Sequence, residues 1–355
     1  MSQLFSPLTL RGLTIRNRVF VSPMCQYSSE NGHPTDWHLV HLGAFARGGA
    51  GLVMTEATAV RPEGRISPAD AGMWTDAQAH DYRRITDFVH AQGAAAGMQL
   101  AHAGRKASTR TPWEGHGSVP AGEGGWPTVA PSPVAYGDYA APRELTAAEI
   151  AVIVDDFGAA AARADRAGFD VVEVHGAHGY LIHEFLSPLT NQRADGYGGD
   201  LAGRSRLLAE VVGAVRGNWP SDKPLFVRLS ATDWADGGWD VDETVEVARM
   251  LAGAGVDLVD VSSGGNVPWQ QVQVGPGYQV PFARAVREGS GLATGAVGLI
   301  TEPAQAEEIV AGGSADAVLL GRALLRDPNW PLRASDVLGE GDALWPRQYL
   351  RGRPA

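Results

Sequence analysis

The chain of 355 residues carries a formal net charge of −11, and 44% of its residues are hydrophobic. This composition is ordinary for a globular protein and supports a large core. Basic residues form no cluster of the kind that binds nucleic acid or an anionic membrane, no signal peptide is evident, and no apolar run reaches the roughly 18 residues of a membrane helix. The one cysteine, Cys25, excludes an internal disulfide and an iron–sulfur cluster on the chain's own thiolates. We therefore predict a cytoplasmic protein without a nucleic-acid or membrane partner.

Eight short apolar runs, each ending in polar or glycine residues, predict eight buried strands. The third run is weak by strand propensity because it is rich in alanine and glycine. In chain order the runs are Arg18–Pro23, Gly51–Ala57, Ala95–Ala101, Asp170–His175, Leu225–Ser230, Leu258–Ser263, Leu292–Gly298 and Ala317–Arg322.

Helical patterns separate the strands. Thr146 and Glu149 form a capping box ahead of an apolar face, and Asp240 with Glu243 repeats the pattern. Thr301 is predicted to cap the helix that follows the seventh strand. Eight strand–helix units with largely apolar strands favour a closed parallel α/β barrel over a doubly wound sheet. The predicted fold is a single-domain (β/α)8 TIM barrel that spans residues 1–355.

Two segments depart from the repeating pattern. The connection between Ala103 and Glu144 is rich in Gly, Pro, Ser and Trp, and loops this long are usually functional or disordered. Because it follows the end of a strand, residues 107–142 are predicted to form a lid over the barrel mouth, with a plain surface excursion as the alternative. The tail, residues 336–355, is predicted to be either a frayed end or a subunit interface.

Functional side chains of such a barrel gather where its strands end. The fourth strand leads into His175, His178 and Tyr180. A neutral histidine pair can stabilise a developing oxyanion, and a protonated tyrosine can act as a general acid. A metal site or satisfied core histidines are the alternatives, although a metal site needs a third ligand. The other strand-end residues are Cys25, Tyr27, Ala57, Gln99, His102, Arg228, Ser262–Gly265, Gly295–Gly298, Gly321 and Arg322.

The loops after the seventh and eighth strands are the usual phosphate site of this fold. Glycines there let backbone N–H groups approach an anion, and an arginine binds it bidentately. A phosphorylated ligand is therefore predicted, with tight-turn glycines beside a surface arginine as the alternative. Arg228 lies inside an apolar strand, and a buried cation needs a partner. Its partner is either a structural ion pair or an electron-rich ring that becomes anionic.

Six motifs in this order resemble the Old Yellow Enzyme family of FMN-dependent ene-reductases, and look closest to its bacterial thermophilic-like and xenobiotic reductase branch. The resemblance covers nearly the whole chain. The motifs are Ser22–Tyr27 (SPMCQY), Gln99–Lys106 (QLAHAGRK), His175–Pro188 (HGAHGYLIHEFLSP), Arg193–Gly199 (RADGYGG), Phe226–Ser230 (FVRLS) and Gly321–Pro328 (GRALLRDP).

The resemblance implies a tightly but non-covalently bound FMN at the barrel mouth, with NADPH or NADH as a transient reductant. Gln99 would bind the pyrimidine edge of the ring, Arg228 would stabilise the reduced ring near its N1–C2 carbonyl region, and Cys25 would tune its potential. The residues implied to line the ring are Ser22, Pro23, Met24, Cys25 and Ala57, and those implied to hold the phosphate are Gly295, Ala296, Gly321 and Arg322.

The resemblance also implies the reaction. Activated C=C bonds of α,β-unsaturated carbonyls, imides and nitroalkenes would be reduced by ping-pong hydride transfer through FMN. His175 and His178 would grip the substrate oxygen, Tyr180 would donate the proton, and Tyr27 would contact the substrate. Arg351 of a neighbouring subunit would reach the site, which implies a homodimer or homotetramer.

The chain departs from its relatives in two places, and other functions stay open. Val297 stands where some relatives carry tryptophan, which predicts a wider pocket, and residues 107–142 are longer than in the shorter relatives. The alternatives are a metal-dependent barrel hydrolase that uses His175 and His178, and a flavin-binding sensory barrel without turnover. A related dienoyl-CoA reductase would need a longer chain with an iron–sulfur site.

Overall fold

The computed structural model describes residues 2–353. Its strands are β1 (Leu8–Leu10), β2 (Leu13–Ile15), β3 (Val19–Val21), β4 (Leu52–Ala59), β5 (Ala95–Ala101), β6 (Val129–Ala130), β7 (Arg143–Glu144), β8 (Val171–Gly176), β9 (Leu225–Ser230), β10 (Leu258–Ser262), β11 (Ala293–Ala296) and β12 (Ala317–Leu320). Its α-helices are α1 (Asp36–Arg47), α2 (Asp76–Ala91), α3 (Ala147–Arg166), α4 (Leu181–Leu186), α5 (Leu201–Asn218), α6 (Val241–Gly253), α7 (Val280–Ser290), α8 (Pro303–Ala311), α9 (Arg322–Arg326) and α10 (Trp330–Val337).

Eight parallel strands close into a barrel in the order β10-β11-β12-β3-β4-β5-β8-β9. This confirms the predicted TIM barrel and excludes the doubly wound sheet. The third and fifth strands have the predicted bounds, and the third forms despite its weak propensity because every residue from Ala95 to Ala101 is buried. The first strand is shorter than predicted, and the eighth ends at Leu320, because Arg322 already begins α9.

The helix caps were predicted with mixed success. Thr146 and Glu149 form the reciprocal capping box of α3. Asp240 caps α6 by accepting a hydrogen bond from the Glu243 backbone. The prediction that Thr301 caps the next helix is wrong, because α8 begins at Pro303 and Glu302 is its N-cap residue. Proline at the first helical position holds the residue before it in an extended conformation, so the cap falls there.

The barrel interior is layered because alternate residues of each strand point inward. Its floor is a buried apolar cluster that includes Leu52, Val171, Phe226, Leu258 and Leu319. The outward-facing residues of the same strands pack against the helices in a much larger cluster. One step above the floor the strands carry polar residues instead, namely Gln99, Glu173, Arg228 and Asp260, and all four are buried. The mouth opens above this polar layer.

The two segments outside the repeat pack against the barrel. Strand β6 of the predicted lid pairs with β7, which follows the lid directly. Trp113 of the lid meets Tyr27 of the mouth edge-on, with ring centroids 5.7 Å apart. The C-terminal tail packs at the end of the barrel opposite the mouth, where the Arg47 guanidinium lies 5.1 Å from the Tyr349 ring centroid. The last two residues of the predicted tail lie outside the described residues. Among residues 2–353, no helix is long and apolar enough to cross a membrane.

Candidate active site

The end of β8 brings the predicted histidines and tyrosine together at the mouth. The ring centroid of His175 lies 5.2 Å from that of His178 and 5.1 Å from that of Tyr180. His175 is paired in register with Arg228 of β9, so the imidazole stands beside a buried cation. The tight turn between β8 and α4 allows the side chains of His175, His178 and Tyr180 to converge at the mouth.

His178 is held in a strained backbone conformation, with φ of 60°. A non-glycine residue at such an angle persists only where its surroundings fix it. Its backbone N–H donates to Ser230 Oγ at 2.9 Å, and its carbonyl accepts from Lys106 Nζ at 2.7 Å. Its ring Nε2 lies 2.7 Å from Ser262 Oγ. Gly265 is required beside it, because a Cβ there would lie 2.7 Å from the His178 backbone.

The buried pair of His183 and Asp233 supports the turn that carries His178. The Gly179 backbone N–H donates to His183 Nδ1 at 2.9 Å. Because Nδ1 accepts, Nε2 carries the ring proton and faces Asp233 Oδ1 at 2.9 Å. Both side chains are fully buried. Sequence reasoning did not single out this pair, although the histidine lies within one of the motifs.

The site keeps both histidines and the tyrosine uncharged. Burial, and then the charges of Arg228 and Lys106, hold the pKa of His175 well below its usual range. Burial and the same neighbours do so for His178, with His175 itself as a further cause. Burial raises the pKa of Tyr180 well above its usual range. At neutral pH the mouth therefore presents two neutral imidazoles and a protonated phenol.

Lys106 lies next to this group and was given no role from the sequence. Its Nζ sits 4.8 Å from the Tyr180 ring centroid and donates to the Gly265 carbonyl at 3.0 Å. Burial lowers the pKa of Lys106 to about 8, while Glu184 opposes that shift. The ammonium thus ties the turn of His178 to the loop after β10 and packs on the face of the tyrosine.

The loop after β3 carries Cys25 and Tyr27, which face each other at the other side of the mouth. Glu56 of β4 accepts the Gln26 backbone N–H at 2.9 Å, which fixes this loop. Burial, followed by the charges of Asp70 and Glu56, raises the pKa of Cys25 well above its usual range. Cys25 is therefore a neutral thiol that contacts Tyr27, and not a thiolate nucleophile.

Arg228, in the polar layer below the mouth, has Asp260 as its partner. Its Nε lies 2.8 Å from Asp260 Oδ2, and its Nη2 donates to Ser22 Oγ at 3.3 Å. The Nε contact is an ion pair without hydrogen-bond alignment. Gln99 Nε2 donates to Glu173 Oε1 at 2.7 Å. Arg228 is thus in a structural ion pair and still lies directly below the mouth.

A cavity of about 160 Å³ opens between the loops that follow β10, β11 and β12. Gly321 and Arg322 line it, as predicted for a phosphate site, whereas Gly295 and Ala296 do not. Those two residues belong to β11, and Gly295 faces Leu319 in the barrel interior. Several other residues line the cavity that the sequence patterns did not assign to it, namely Tyr278, Gln279, Leu299, Thr301 and Arg326.

The remaining predicted residues divide between mouth and interior. Ala57 lies in an apolar cluster against which Cys25, Tyr27 and Tyr180 pack. His102 is buried, and burial lowers its pKa to about 3, with Arg61 adding to the shift. Its Nδ1 accepts from the Gly104 backbone, so it is a structural residue. Within the described residues, no group of three or more His, Cys, Asp or Glu side chains is placed to hold a metal ion.

The cavity adjoins the mouth at Ser262, which lines the cavity and lies 2.7 Å from His178 Nε2. A ring ligand with a phosphate arm fits this shape: a Cβ at Gly321 would meet only Met24 Sδ at 3.6 Å and Ser22 Cβ at 3.9 Å, so that side of the rim is open. The buried Nε of Arg228 has its ion pair with Asp260 but no aligned hydrogen-bond acceptor in the protein. The fold and site are those of a barrel oxidoreductase that holds a phosphorylated ring cofactor.

Comparison with known proteins gives the family. The model of the NADH:flavin oxidoreductase / NADH oxidase family matches residues 3–340, and the chain belongs to that family. It is 48% identical over 354 residues to a NADPH dehydrogenase of Listeria innocua serovar 6a, with 99% of each chain covered. The predicted Old Yellow Enzyme relationship, FMN as cofactor and NAD(P)H as reductant are thereby confirmed.

Solved structures agree with this assignment. Morphinone reductase superposes with a TM-score of 0.80 at 28% identity, over 95% of this chain and 90% of that chain. A complex of 2-naphthoyl-CoA reductase superposes with a TM-score of 0.86 at 26% identity, over 94% of this chain. The match covers 52% of that longer reductase.

Proposed function

We propose that this flavin oxidoreductase reduces activated C=C bonds in α,β-unsaturated aldehydes, ketones, imides and nitroalkenes, with NAD(P)H and the substrate visiting the same site in turn. The observation that supports this most is the convergence of two neutral imidazoles and a protonated phenol at the mouth. The ring centroid of His175 lies 5.2 Å from that of His178 and 5.1 Å from that of Tyr180. Neutral donors bind a carbonyl or nitro oxygen and stabilise negative charge that develops on it.

Each side chain at the mouth has a distinct role in this reaction. FMN, when bound, supplies the hydride transfer. His175 and His178 donate N–H groups to the substrate oxygen and so orient the C=C bond. Tyr180 gives its phenolic proton to the carbon next to the activating group. Tyr27, with Trp113 against its ring, packs on the substrate and excludes water from it.

The residues that would hold FMN follow the rim from mouth to cavity. Ser22, Pro23, Met24, Cys25 and Ala57 line the ring, with Gln99 at its pyrimidine edge. Arg228 offers its buried charge below the ring, near the N1–C2 carbonyl region. Gly321 and Arg322 bind the phosphate, with the backbone of Gly298 in place of the predicted Gly295 and Ala296, because Gly298 lines the cavity.

Anaerobic spectroscopy tests the substrate class. The visible spectrum of the FMN-loaded protein is recorded, NADPH is added, and 2-cyclohexen-1-one follows. Bleaching by NADPH and recovery with the enone are expected. A spectrum that bleaches but does not recover with any enone, imide or nitroalkene would refute the proposed substrates while leaving the oxidoreductase class intact.

The active form proposed here is a homodimer or homotetramer in which Arg351 completes the site of a neighbour. Arg351 is exposed, on the short helix Arg347–Gly352. The tail that carries it packs on Arg47, at the C-terminal end of α1 and therefore at the end of the barrel opposite the mouth. We therefore place the exposed Arg351 away from the mouth of its own barrel, where a second copy can receive it.

Mixed oligomers test this arrangement. Tyr180→Phe and Arg351→Ala subunits are each expected to have low ene-reductase activity alone. Unfolded and refolded together, they form hybrids in which one site combines an intact Tyr180 with the Arg351 of the other subunit. Recovered activity supports action between subunits, whereas no recovery in verified hybrids contradicts it. Sedimentation of the wild-type protein as a monomer would also contradict it.

A further inference from the structure

The polar layer of the barrel contains one cation between two carboxyl groups. Arg228 Nε contacts Asp260 at 2.8 Å, and Glu173 binds Gln99 at 2.7 Å. Glu173 and Asp260 are fully buried. Within the described part of the chain, no cation lies within ion-pairing distance of Glu173, and its Oε2 has no hydrogen-bond partner. Glu173 is therefore a buried carboxyl without a cation of its own.

No other charge reaches this layer from the surrounding strands. Below it, the floor is apolar and includes Met54 of β4 and Leu319 of β12. Gly295 of β11 adds no side chain, and Ser22 after β3 and Gln99 of β5 are uncharged. Above it stands His175, which is neutral at physiological pH. The charge of the layer is decided by Glu173, Arg228 and Asp260 alone.

With both carboxyls ionised, the layer would bury a net negative charge, which is costly in a medium of low polarity. With one proton it is neutral. Burial raises the pKa of both carboxyls, and Arg228 opposes the shift in each. Asp260 keeps the arginine as its direct partner. The charge on Asp260 further raises the pKa of Glu173, so the proton belongs on Glu173.

We propose that Glu173 carries the proton of this layer and holds it more tightly once the bound cofactor ring above Arg228 has gained negative charge. The added charge competes for Arg228, so Glu173 sees less of the compensating cation and more negative charge. Glu173 then has one pKa in the oxidised protein and a higher pKa in the reduced protein. At a pH between these two values, reduction draws one extra proton from solvent, which forms an O–H bond on the Glu173 carboxylate. The two electrons come from the reductant. Glu173 is a positioning and proton-holding residue, not one that touches substrate.

The midpoint potential of the FMN-loaded protein tests this without any enone. Potentials are measured from pH 6 to 10 with a chemical reductant and redox dyes. For a two-electron couple each proton taken up contributes about 30 mV per pH unit. The wild-type protein is expected to show a section near 60 mV per pH unit where Glu173 couples, and about 30 mV per pH unit elsewhere. Glu173→Gln removes the steep section.

Two further variants sharpen the result. Asp260→Asn leaves Glu173 as the partner of Arg228, so Glu173 ionises more readily and the steep section moves to lower pH. Glu210→Gln makes the same chemical change as Glu173→Gln on the outer helix α5 and leaves the profile unchanged. A steep section that persists in Glu173→Gln, or a wild-type profile without one, would overturn the proposal.

Infrared spectroscopy of the oxidised protein at neutral pH gives an independent readout. A carbonyl band of a protonated carboxylic acid is expected in the wild-type protein, and Glu173→Gln should lose one such band. If Glu173→Gln failed to bind FMN, the proposal would be tested by whether the steep section of the potential profile moves to lower pH in Asp260→Asn. Because no substrate is present, these outcomes do not depend on the proposed ene-reduction.

Discussion

Burial at the mouth favours the uncharged forms of its histidine and tyrosine side chains. His175 and Tyr180 are shifted in opposite directions, and each shift favours the neutral form. A neutral imidazole keeps one N–H donor, and a phenol keeps its proton. These are the forms that oxygen binding and protonation require. The strained His178, tied down by Ser230 and Lys106, shows that the structure holds this arrangement against backbone preference.

Tyr180→Phe separates protonation from hydride transfer. It removes one oxygen and leaves the ring and its contacts. General acid catalysis contributes about 10²–10⁴ in rate, so reoxidation by 2-cyclohexen-1-one should slow by about that factor, while reduction by NADPH changes little. Stopped-flow absorbance of the two half-reactions measures both.

A matched control is Tyr197→Phe, which removes a hydroxyl that donates to Glu210 at 2.9 Å on α5. It should leave both half-reactions unchanged. If Tyr180→Phe slowed both half-reactions equally, or slowed neither, Tyr180 would not be the proton donor.

The histidine pair predicts how phenols bind. A phenolate oxygen resembles the oxyanion of the reaction, and each hydrogen bond to a charged group is worth about 1.5–3 kcal/mol. His175→Ala or His178→Ala should therefore weaken binding of a phenol about 10- to 150-fold, measured by perturbation of the flavin spectrum. The exposed His80→Ala should not. Unchanged affinity in both site variants would rule out the oxyanion role.

At the scale of single elements, a buried contact from β4 fixes the loop that carries Cys25 and Tyr27. Glu56 accepts from His38 Nε2 at 2.9 Å and from the Gln26 backbone at 2.9 Å. The Thr35 backbone donates to His38 Nδ1, so the proton on Nε2 is the one that His38 donates to Glu56. An irregular register in β4, between Met54 and Ala57, turns Glu56 toward this loop.

His38→Ala leaves the Glu56 carboxylate buried without its main partner. Losing a hydrogen bond to a buried charge should cost about 1.5–3 kcal/mol in the free energy of unfolding. His33→Ala is the matched control, since His33 pairs with Asp81 at 2.6 Å on the surface, where such a pair is worth about 0–1 kcal/mol. Urea unfolding of the FMN-saturated proteins measures both, and equal losses would contradict the importance of burial.

Sequence patterns predicted the strands well because each strand is buried on both faces and reads as an apolar run. They predicted His175, His178 and Tyr180 because strand ends carry the function of this fold. They missed the roles of Glu173 and Asp260, since single polar residues within apolar runs give no sign of whether they face each other. They extended the seventh run to Gly298, whereas β11 ends at Ala296, so Gly295 and Ala296 lie within the strand and the lining of the cavity begins at Val297.

At the scale of the whole molecule, the residues that stabilise the fold and those that serve function lie at different levels along the barrel axis. The apolar floor and the helix-facing residues form the core, whereas the buried charges lie toward the mouth. Glu184, directly after the histidine turn, is one of the ionisable side chains buried at that end. It is fully buried, accepts the Arg105 backbone N–H at 2.8 Å, and leaves its second oxygen without a partner. Such carboxyls make the stability of the protein depend on pH.

The sign of that dependence follows from the direction of each shift. Burial raises the pKa of Glu184 to about 8 and that of Asp70 to about 7. At these two carboxyls the folded chain binds more protons than the unfolded chain between about pH 4.5 and 8, so their contribution to stability falls as the pH rises through this window. Glu149 has the opposite effect, because Arg143 lowers its pKa to about 2; its contribution is lost as the pH falls below about 4.

Glu184→Gln tests the larger effect, since glutamine keeps the acceptor for the Arg105 backbone and cannot ionise. One such group changes the free energy of unfolding by up to about 1.4 kcal/mol per pH unit. Urea midpoints are measured from pH 5 to 8.5 in both proteins, and the stability of Glu184→Gln relative to the wild type should rise as the pH rises. Glu210→Gln, on the outer helix, should follow the wild-type slope. A Glu184→Gln profile parallel to the wild type would show that Glu184 ionises at its ordinary pH, and that water reaches the space behind the histidine turn.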